Sequence, residues 1–394
     1  MTHLEHRFSC PVCGSASTTG VWEMCALPVF CNVLCKTRDE ALAMPRGDIR
    51  LAVCTDCGFI WNAAFDPAKV TYSAQYENSL HFSETFQGYV KSLAEDLVER
   101  HNLRGKHIVE VACGKGDFLT LLCELGDNTG LGFDPGYPAD TRTGDDRITI
   151  LAELYGRQHA EHKADFVCCR HALEHVVDPV AFLRIVRNNM GDEHECTVFF
   201  EVPDALFTLR QLGIWDIIYE HCSYFSADAL AQCFAIAGFA PDAVRTVYGG
   251  QFLCIEARPT PRGVGFKPST SENVADLVRD AEGFGARFEQ KLGEWKQQLR
   301  GFAERGDRTV VWGSGSKGVT FLNMARDVAA IEYVVDINPR KQGMYVAGTG
   351  QPIVAPEFLG GYEPDRVIVM NPIYLKEIQA TAHEYGIKPV FHVA

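Results

Sequence analysis

The chain has 394 residues, enough for two or three domains of ordinary size. It carries 37 Lys and Arg against 51 Asp and Glu, a formal charge of −14, which argues against nucleic acid or an anionic membrane surface as main partner. Hydrophobic residues at 46% and charged residues at 22% are those of a globular protein, and no apolar run is long enough for a membrane span. The first residues, Met1 to Arg7, lack the apolar core of a signal peptide, so the expectation is a cytoplasmic protein. In a reducing compartment its 15 cysteines are expected to bind metal or pack as small hydrophobes rather than form disulfides.

Cys10-Pro-Val-Cys13-Gly and Cys54-Thr-Asp-Cys57-Gly are two Cys-x-x-Cys knuckles, each followed by glycine. Two intervening residues let both sulfurs turn toward one tetrahedral ion, and the glycine allows the positive φ of a tight turn. Cys10, Cys13, Cys54 and Cys57 are therefore the expected ligands of one structural zinc. Cys25, Cys31 and Cys35, in the excursion between the knuckles, are expected to pack as small hydrophobes.

Phe82, Phe86, Val90, Leu93 and Leu97 recur at three- and four-residue steps and predict a helix. Alternating strand-like and helix-like segments follow, which imply a largely parallel sheet. The strand candidates are His107–Ala112, Gly130–Asp134, Asp165–Arg170 and Thr197–Val202, with a hairpin of Ala243–Tyr248 and Phe252–Ala257. Arg258–Ser271, rich in Pro and Gly, reads as a linker. Beyond it Phe284, Phe288, Leu292, Trp295, Leu299 and Phe302 predict one long amphipathic helix, and a second βαβ pattern begins at Thr309–Trp312.

Two glycine-rich turns are candidate ligand sites. In Val109-Glu110-Val111-Ala112-Cys113-Gly114-Lys115-Gly116-Asp117 a strand ends in an acidic residue, small residues form a turn, and a helix begins. Such a turn lets a ligand approach the backbone, and Asp134, ending the next strand, can accept hydrogen bonds from a ribose diol. Gly313-Ser-Gly315-Ser-Lys317-Gly318 also follows a strand, with Asp336 ending the next one. By spacing alone this second turn is the better dinucleotide fingerprint, which would make the chain an NAD-dependent oxidoreductase. It equally suits a turn whose glycines serve only helix-on-sheet packing. Lys115 is expected in solvent, and Lys317 either near a substrate phosphate or in a capping or surface role.

The first turn, Asp134 and the segment Asp165-Phe-Val-Cys-Cys-Arg-His171-Ala-Leu-Glu174-His175 together resemble class I S-adenosylmethionine-dependent methyltransferases, with Ala112 standing at the first glycine of their motif. The order of segments resembles, over nearly the whole chain, the sugar C-methyltransferases. Gly313–Asn323, Tyr333–Gly343, Gly348-Thr-Gly350 with Pro352, and Met370-Asn371-Pro372 carry the C-terminal part of that likeness.

The resemblance implies an α/β fold in three parts: a four-cysteine zinc module over 1–72, a Rossmann-like methyltransferase core over 73–258, and a C-terminal Rossmann-like substrate-binding domain over 272–394. It implies S-adenosylmethionine as cofactor, held by Glu110, Ala112, Gly114, Gly116 and Asp134, with Tyr76 and His171 beside the methyl donor. The implied reaction is methylation of a carbon of a nucleotide-linked keto-deoxysugar. In the family a Tyr-x-Glu-His segment carries the catalysis. Here Glu220 and His221 match it, while Ile218 stands at the tyrosine position and Tyr219 adjoins Glu220. The expected roles are His221 as base or proton relay, Glu220 orienting it or binding substrate, and Tyr219 at the developing oxyanion. The competing expectations are an O- or N-methyltransferase on another small molecule, the NAD-dependent oxidoreductase, and a non-catalytic zinc adaptor.

Overall fold

The computed structural model describes residues 9–71, 75–138, 144–191, 196–260, 272–328 and 331–394. Three sheets organise the chain. The central one has seven strands in the order Phe239–Val247, Phe252–Pro259, Thr197–Pro203, Phe166–Arg170, His107–Val111, Thr129–Phe133, Ile148–Leu151. The last five in that order are parallel, and the hairpin joins them antiparallel through Phe252–Pro259. His107–Val111 has Thr129–Phe133 on one side and Phe166–Arg170 on the other. The strand order therefore reverses here, and a crevice opens at the carboxyl ends of the strands. Each expected strand is present within a residue or two of its bounds except at the hairpin, whose strands run on to Phe239 and Pro259. The short edge strand Ile148–Leu151 was not anticipated.

The helix Glu84–Arg100 buries Phe86, Val90, Leu93, Ala94, Leu97 and Val98, and Ser83 caps it by accepting from the Phe86 amide at 3.2 Å. Phe82 lies before that cap and outside the helix. A serine that takes an orphan amide stops the apolar period one residue short.

An antiparallel sheet of Thr18–Pro28, Arg46–Cys54, Ile60–Asn62 and Ser223–Tyr224 forms the N-terminal module. Its last strand comes from the core segment, with Ile60 opposite Tyr224 and Trp61 opposite Ser223. This pairing docks the segment just before it, Tyr219–His221, against the module.

The third sheet is parallel, in the order Ile353–Val354, Ile331–Val335, Thr309–Trp312, Arg366–Val369, Val390–Val393. All six apolar residues expected on one helix face are buried in the helix Phe284–Glu304. At about 1.5–3 kcal/mol for each fully buried side chain, that stripe is a main attachment between parts. Its first turns pack on the N-terminal sheet, with Phe288 4.0 Å from Trp22 between ring centroids, and Trp295 meets Phe321 of the C-terminal domain at 5.4 Å. The hairpin end is tied to the same domain by a reciprocal amide pair, Gln251 with Asn371 at 3.0 and 2.8 Å, and by Tyr248 to Tyr374 at 2.6 Å. Most of the linker expected over Arg258–Ser271 lies outside the described residues. No described helix is long and apolar enough to cross a membrane.

Candidate active site

The first glycine turn joins strand His107–Val111 to the helix Asp117–Gly126 through left-handed backbone at Ala112 (φ 55°), Gly114 (57°) and Gly116 (81°). Gly116 has the positive φ that favours glycine, and a Cβ there, 2.4 Å from Ile150 Cδ1, would push that side-chain end aside. At Gly114 nothing lies within 4 Å of such a Cβ, so this face of the turn is open. Ala112 holds its positive φ with a methyl group, which costs about 1–2 kcal/mol.

Asp134 accepts from the Gly114 amide at 2.9 Å and from the Gly136 amide at 2.7 Å, and burial raises its proton affinity. Glu110 is buried, which pushes its carboxyl up to about 8, and its Oε2 has no hydrogen-bond partner among the described residues. An orphaned acidic oxygen behind an open, glycine-faced turn at a helix N-terminus fits a nucleoside ligand that carries a cationic group. Glu110, Gly114 and Asp134 therefore fit S-adenosylmethionine.

Lys115 is exposed, as expected, and it also has a partner. Its ammonium pairs with the buried carboxylate of Glu77, which also accepts from Asn338 Nδ2 at 3.1 Å and Arg340 at 3.2 Å. The Glu77 amide donates to the Asn32 carbonyl at 2.8 Å, so one residue joins all three sheets' surroundings at the mouth of the turn. Burial alone would raise Glu77, but these donors hold it below the usual carboxylate value.

A buried polar network closes the crevice at the ends of Phe166–Arg170 and Thr197–Pro203. Glu201, fully buried, accepts from Tyr89 Oη at 2.5 Å and Arg170 at 3.0 Å, and lies 2.5 Å from His171 Nε2. Burial opposes the charge, yet Arg170 and His171 hold the carboxyl well below its usual range. His171, with φ 51°, thus stands at the crevice with one nitrogen committed to Glu201. Glu201 and Tyr89 escaped sequence reading, although a charged residue inside Val198-Phe-Phe-Glu201-Val is itself a signal.

The segment 219–221 presents successive side chains in different directions. Glu220 is fully buried, accepts from the Cys31 amide at 2.8 Å, and is hydrogen-bonded by the side chain of Tyr76. Burial pushes it up to about 7. The His221 ring is held by the Asp216 main-chain carbonyl. Burial, then His175 and His171, depress its proton affinity well below the ordinary imidazole value, so it is neutral. His175 donates from Nδ1 to the Glu220 carbonyl at 3.0 Å, and burial lowers it to about 4. The His175 and His221 rings meet edge to face, 4.9 Å between centroids. Glu174 completes the group, raised to about 7 by burial, with a buried Oε2 that no described residue hydrogen-bonds. One ligand atom each of Glu174, His175 and His221 fall within 4.8 Å of one another. A carboxyl group and two neutral imidazoles at that spacing can relay a proton or hold a divalent cation.

Tyr219 does not join them. Its hydroxyl accepts from the Asp66 amide at 2.9 Å, its ring stacks on Phe65 at 5.3 Å, and Gly47 lies so close that a Cβ there would stand 2.1 Å from Tyr219 Cε2. One position along the chain turns the phenol into the N-terminal module, away from the oxyanion role expected of it. Tyr76, expected over the donor, is the tyrosine that reaches Glu220. Tyr224 and Phe225 are buried in the core as expected.

The four expected cysteines converge. Cys10 and Cys57 sulfurs are 3.6 Å apart, as are those of Cys13 and Cys54, and one ligand atom from each falls within 4.8 Å of the rest. The knuckles fold alike: Gly14 (φ 74°) and Gly58 (φ 71°) donate to the carbonyls of Cys10 and Cys54 at 2.9 Å. That donor set fits zinc. Cys31 and Cys35 are buried, and Cys25 is exposed.

In the second glycine turn Asp336 accepts from the Ser314 amide at 2.9 Å, the Ser314 hydroxyl at 2.5 Å and the Asn338 amide at 2.9 Å. Lys317 is partly exposed, and its ammonium lies on both carboxylate oxygens of Asp216.

Against known proteins, residues 84–244 match a methyltransferase domain, and residues 269–391 match the C-methyltransferase C-terminal domain. The chain is 23% identical to the C-methyltransferase NovU of Streptomyces niveus over 95% of its length and 92% of that protein's. It is 32% identical to a tRNA U34 carboxymethyltransferase of Sulfurovum sp. over 27% of this chain and 37% of that one. Among solved structures, a 1,6-didemethyltoxoflavin-N1-methyltransferase of Burkholderia thailandensis aligns over 44% of this chain and 79% of its own, with 16% identity and a TM-score of 0.35. With a methyltransferase domain followed by this C-terminal domain, the chain is an S-adenosylmethionine-dependent methyltransferase similar in domain order to the C-methyltransferases.

Proposed function

We propose that the protein methylates a carbon atom next to the ketone of a nucleotide-linked keto-deoxysugar, with His221 as the base. The observation that carries this reading is the His221 ring, met edge to face by His175 at 4.9 Å and grouped with Glu174, next to Glu220, whose carboxyl is joined by the phenol of Tyr76. When bound, S-adenosylmethionine would supply an electrophilic methyl group on a sulfonium, with S-adenosylhomocysteine as the leaving group. Glu110, Gly114 and Asp134 would hold it. His221 takes the proton from the carbon next to the carbonyl, and the released electron pair becomes the enolate, whose carbon forms the new bond to methyl. A neutral imidazole can accept that proton, and the His175 and Glu174 groups behind it can pass it on. Glu220 positions the segment through the Cys31 amide and Tyr76. The four cysteines hold a structural zinc, and residues 1–72, 73–258 and 272–394 act as zinc module, methyltransferase core and substrate-binding domain.

The test uses S-adenosylmethionine labelled with carbon-13 in its methyl group and a panel of nucleotide-linked keto-deoxysugars. The expected product shows carbon–carbon coupling to the new methyl, and the accompanying loss of the adjacent proton to solvent disappears in His221→Gln. A methyl bonded to oxygen or nitrogen instead assigns the enzyme to another acceptor chemistry.

A further inference from the structure

The second glycine turn is tied to both His221, the proposed base, and Glu220, which positions its segment. The helix Ser316–Met324 starts at Gly315, and Lys317 in its first turn places its ammonium on both oxygens of Asp216. The main-chain carbonyl of the same Asp216 holds the His221 ring. The turn Ile214–Asp216 is fixed twice more, by Trp215 edge-on to Phe321 of that helix at 4.9 Å and by the Asp216 amide on the Gly213 carbonyl at 3.0 Å. A parallel contact serves Glu220. Asn32 donates to Ser316 Oγ at 3.2 Å and accepts from the buried Lys341 at 3.2 Å, while the adjacent Cys31 amide donates to Glu220 at 2.8 Å. Both His221 and Glu220 are thus held by a backbone atom, and the residue supplying that atom or its neighbour is pinned by polar groups of the C-terminal domain.

We infer that Lys317 is a positioning residue for His221, acting through Asp216, and that the C-terminal glycine turn serves as a buttress of the active site. This rests on His221 being the base. An imidazole ring is oriented by the hydrogen bond its second nitrogen makes, so a shifted carbonyl turns the ring. A misplacement of about 1 Å remote from the chemistry can cost about a hundredfold in rate. The pair is about one-fifth exposed, at 21% for Lys317 and 22% for Asp216, so water only partly screens it. The charged and titratable groups around His221 are Lys317, Asp216, Glu174, His175 and His171, with Tyr224 against the ring at 6.2 Å. Replacing Lys317 with a neutral residue removes a cation and admits water, and both raise the proton affinity of His221.

The test follows ring-labelled histidines by carbon-13 NMR in the protein saturated with S-adenosylhomocysteine, with the His221 signal identified by its absence from His221→Gln. In the wild type that signal keeps its neutral position between about pH 5 and 8. In Lys317→Met it shifts and titrates inside that window, and Lys317→Arg restores it. With a nucleotide-linked keto-deoxysugar, Lys317→Met is expected to lose about 10- to 100-fold in kcat while KM for S-adenosylmethionine stays within about twofold. Unchanged affinity for S-adenosylhomocysteine shows that the variants fold. Should Lys317→Met fail that check, Asp216→Asn gives the same readout with the side-chain shape kept. An unmoved His221 signal in a folded variant overturns the inference. A moved signal with proton loss from substrate intact in His221→Gln leaves the buttress standing and overturns the choice of base.

Discussion

The two glycine turns are built on the same backbone pattern and yet do different work. In the first, the Cys113 amide donates to the Phe133 carbonyl at 3.1 Å and Gly114 to Asp134 at 2.9 Å; in the second, Gly313 donates to Val335 at 2.8 Å and Ser314 to Asp336 at 2.9 Å. Matching these bonds sets Glu110 against Val310, Gly114 against Ser314 and Asp117 against Lys317. The first turn keeps an acidic oxygen without a partner and a glycine facing open space. The second has a buried valine in place of that acid and a serine hydroxyl on its aspartate, and its lysine is committed to Asp216. The unpartnered acid and the open glycine, rather than glycine spacing, are what make the first turn the proposed cofactor site.

Removing what both turns lean on has the largest expected effect. The N-terminal module supports the first turn through the Asn32–Glu77 bond and the second through Asn32–Ser316. Metal analysis of purified protein is expected to give about one zinc per chain, and chelation or Cys54→Ser to unfold the module, with binding free energy of about 10–16 kcal/mol at stake in such sites. Two zincs per chain, one of them lost in Glu174→Gln, would assign the Glu174–His175–His221 group to metal and sharpen the difference between the two halves of the crevice.

The next effect concerns the donor side alone. Glu201→Gln leaves the buried Arg170 guanidinium without its counter-charge and is expected to cost about 3–5 kcal/mol of stability, read from denaturant midpoints. The pH dependence of kcat is expected to show one limb near 7. Glu220 is raised to about 7 by burial and accepts two hydrogen bonds as the carboxylate, so activity falls as pH drops through that value. In Glu220→Gln most of the rate is lost, and the limb that remains near 7 belongs to Glu174, which burial raises to about the same value. His221, neutral throughout, adds no limb in that range. The smallest effect belongs to Ala112→Gly, which relieves a positive φ of 55° and is expected to change stability by at most about 1 kcal/mol, with donor affinity kept or slightly improved.

Local patterns were legible in the sequence and long-range contacts were not. The helical period found all six buried residues of Phe284–Glu304, the strand–turn–helix run found Glu110, Gly114 and Asp134, and cysteine spacing found the four-sulfur cluster. The direction of Tyr219 depends on strand Ser223–Tyr224 pairing with Ile60–Asn62, a partner far away in the chain, and no local period encodes that choice. Glu77 is similar: its partners Lys115, Asn338 and Arg340 lie in two other parts of the protein. Lys115 is exposed as its loop suggests, but the buried acid it pairs with comes from a distant part of the chain.

The central claim is that the first turn, and not the second, holds the cofactor, and calorimetric titration tests it most directly. S-adenosylhomocysteine is expected to bind with one site per chain and NAD not at all. Loss of the Asp134 carboxylate in Asp134→Ala should weaken that binding by about 10- to 100-fold, at about 1.5–3 kcal/mol for a charged hydrogen-bonding group. Asp336→Ala should leave it within about twofold. A tight NAD isotherm, or binding of S-adenosylhomocysteine that survives Asp134→Ala and fails in Asp336→Ala, would contradict the assignment.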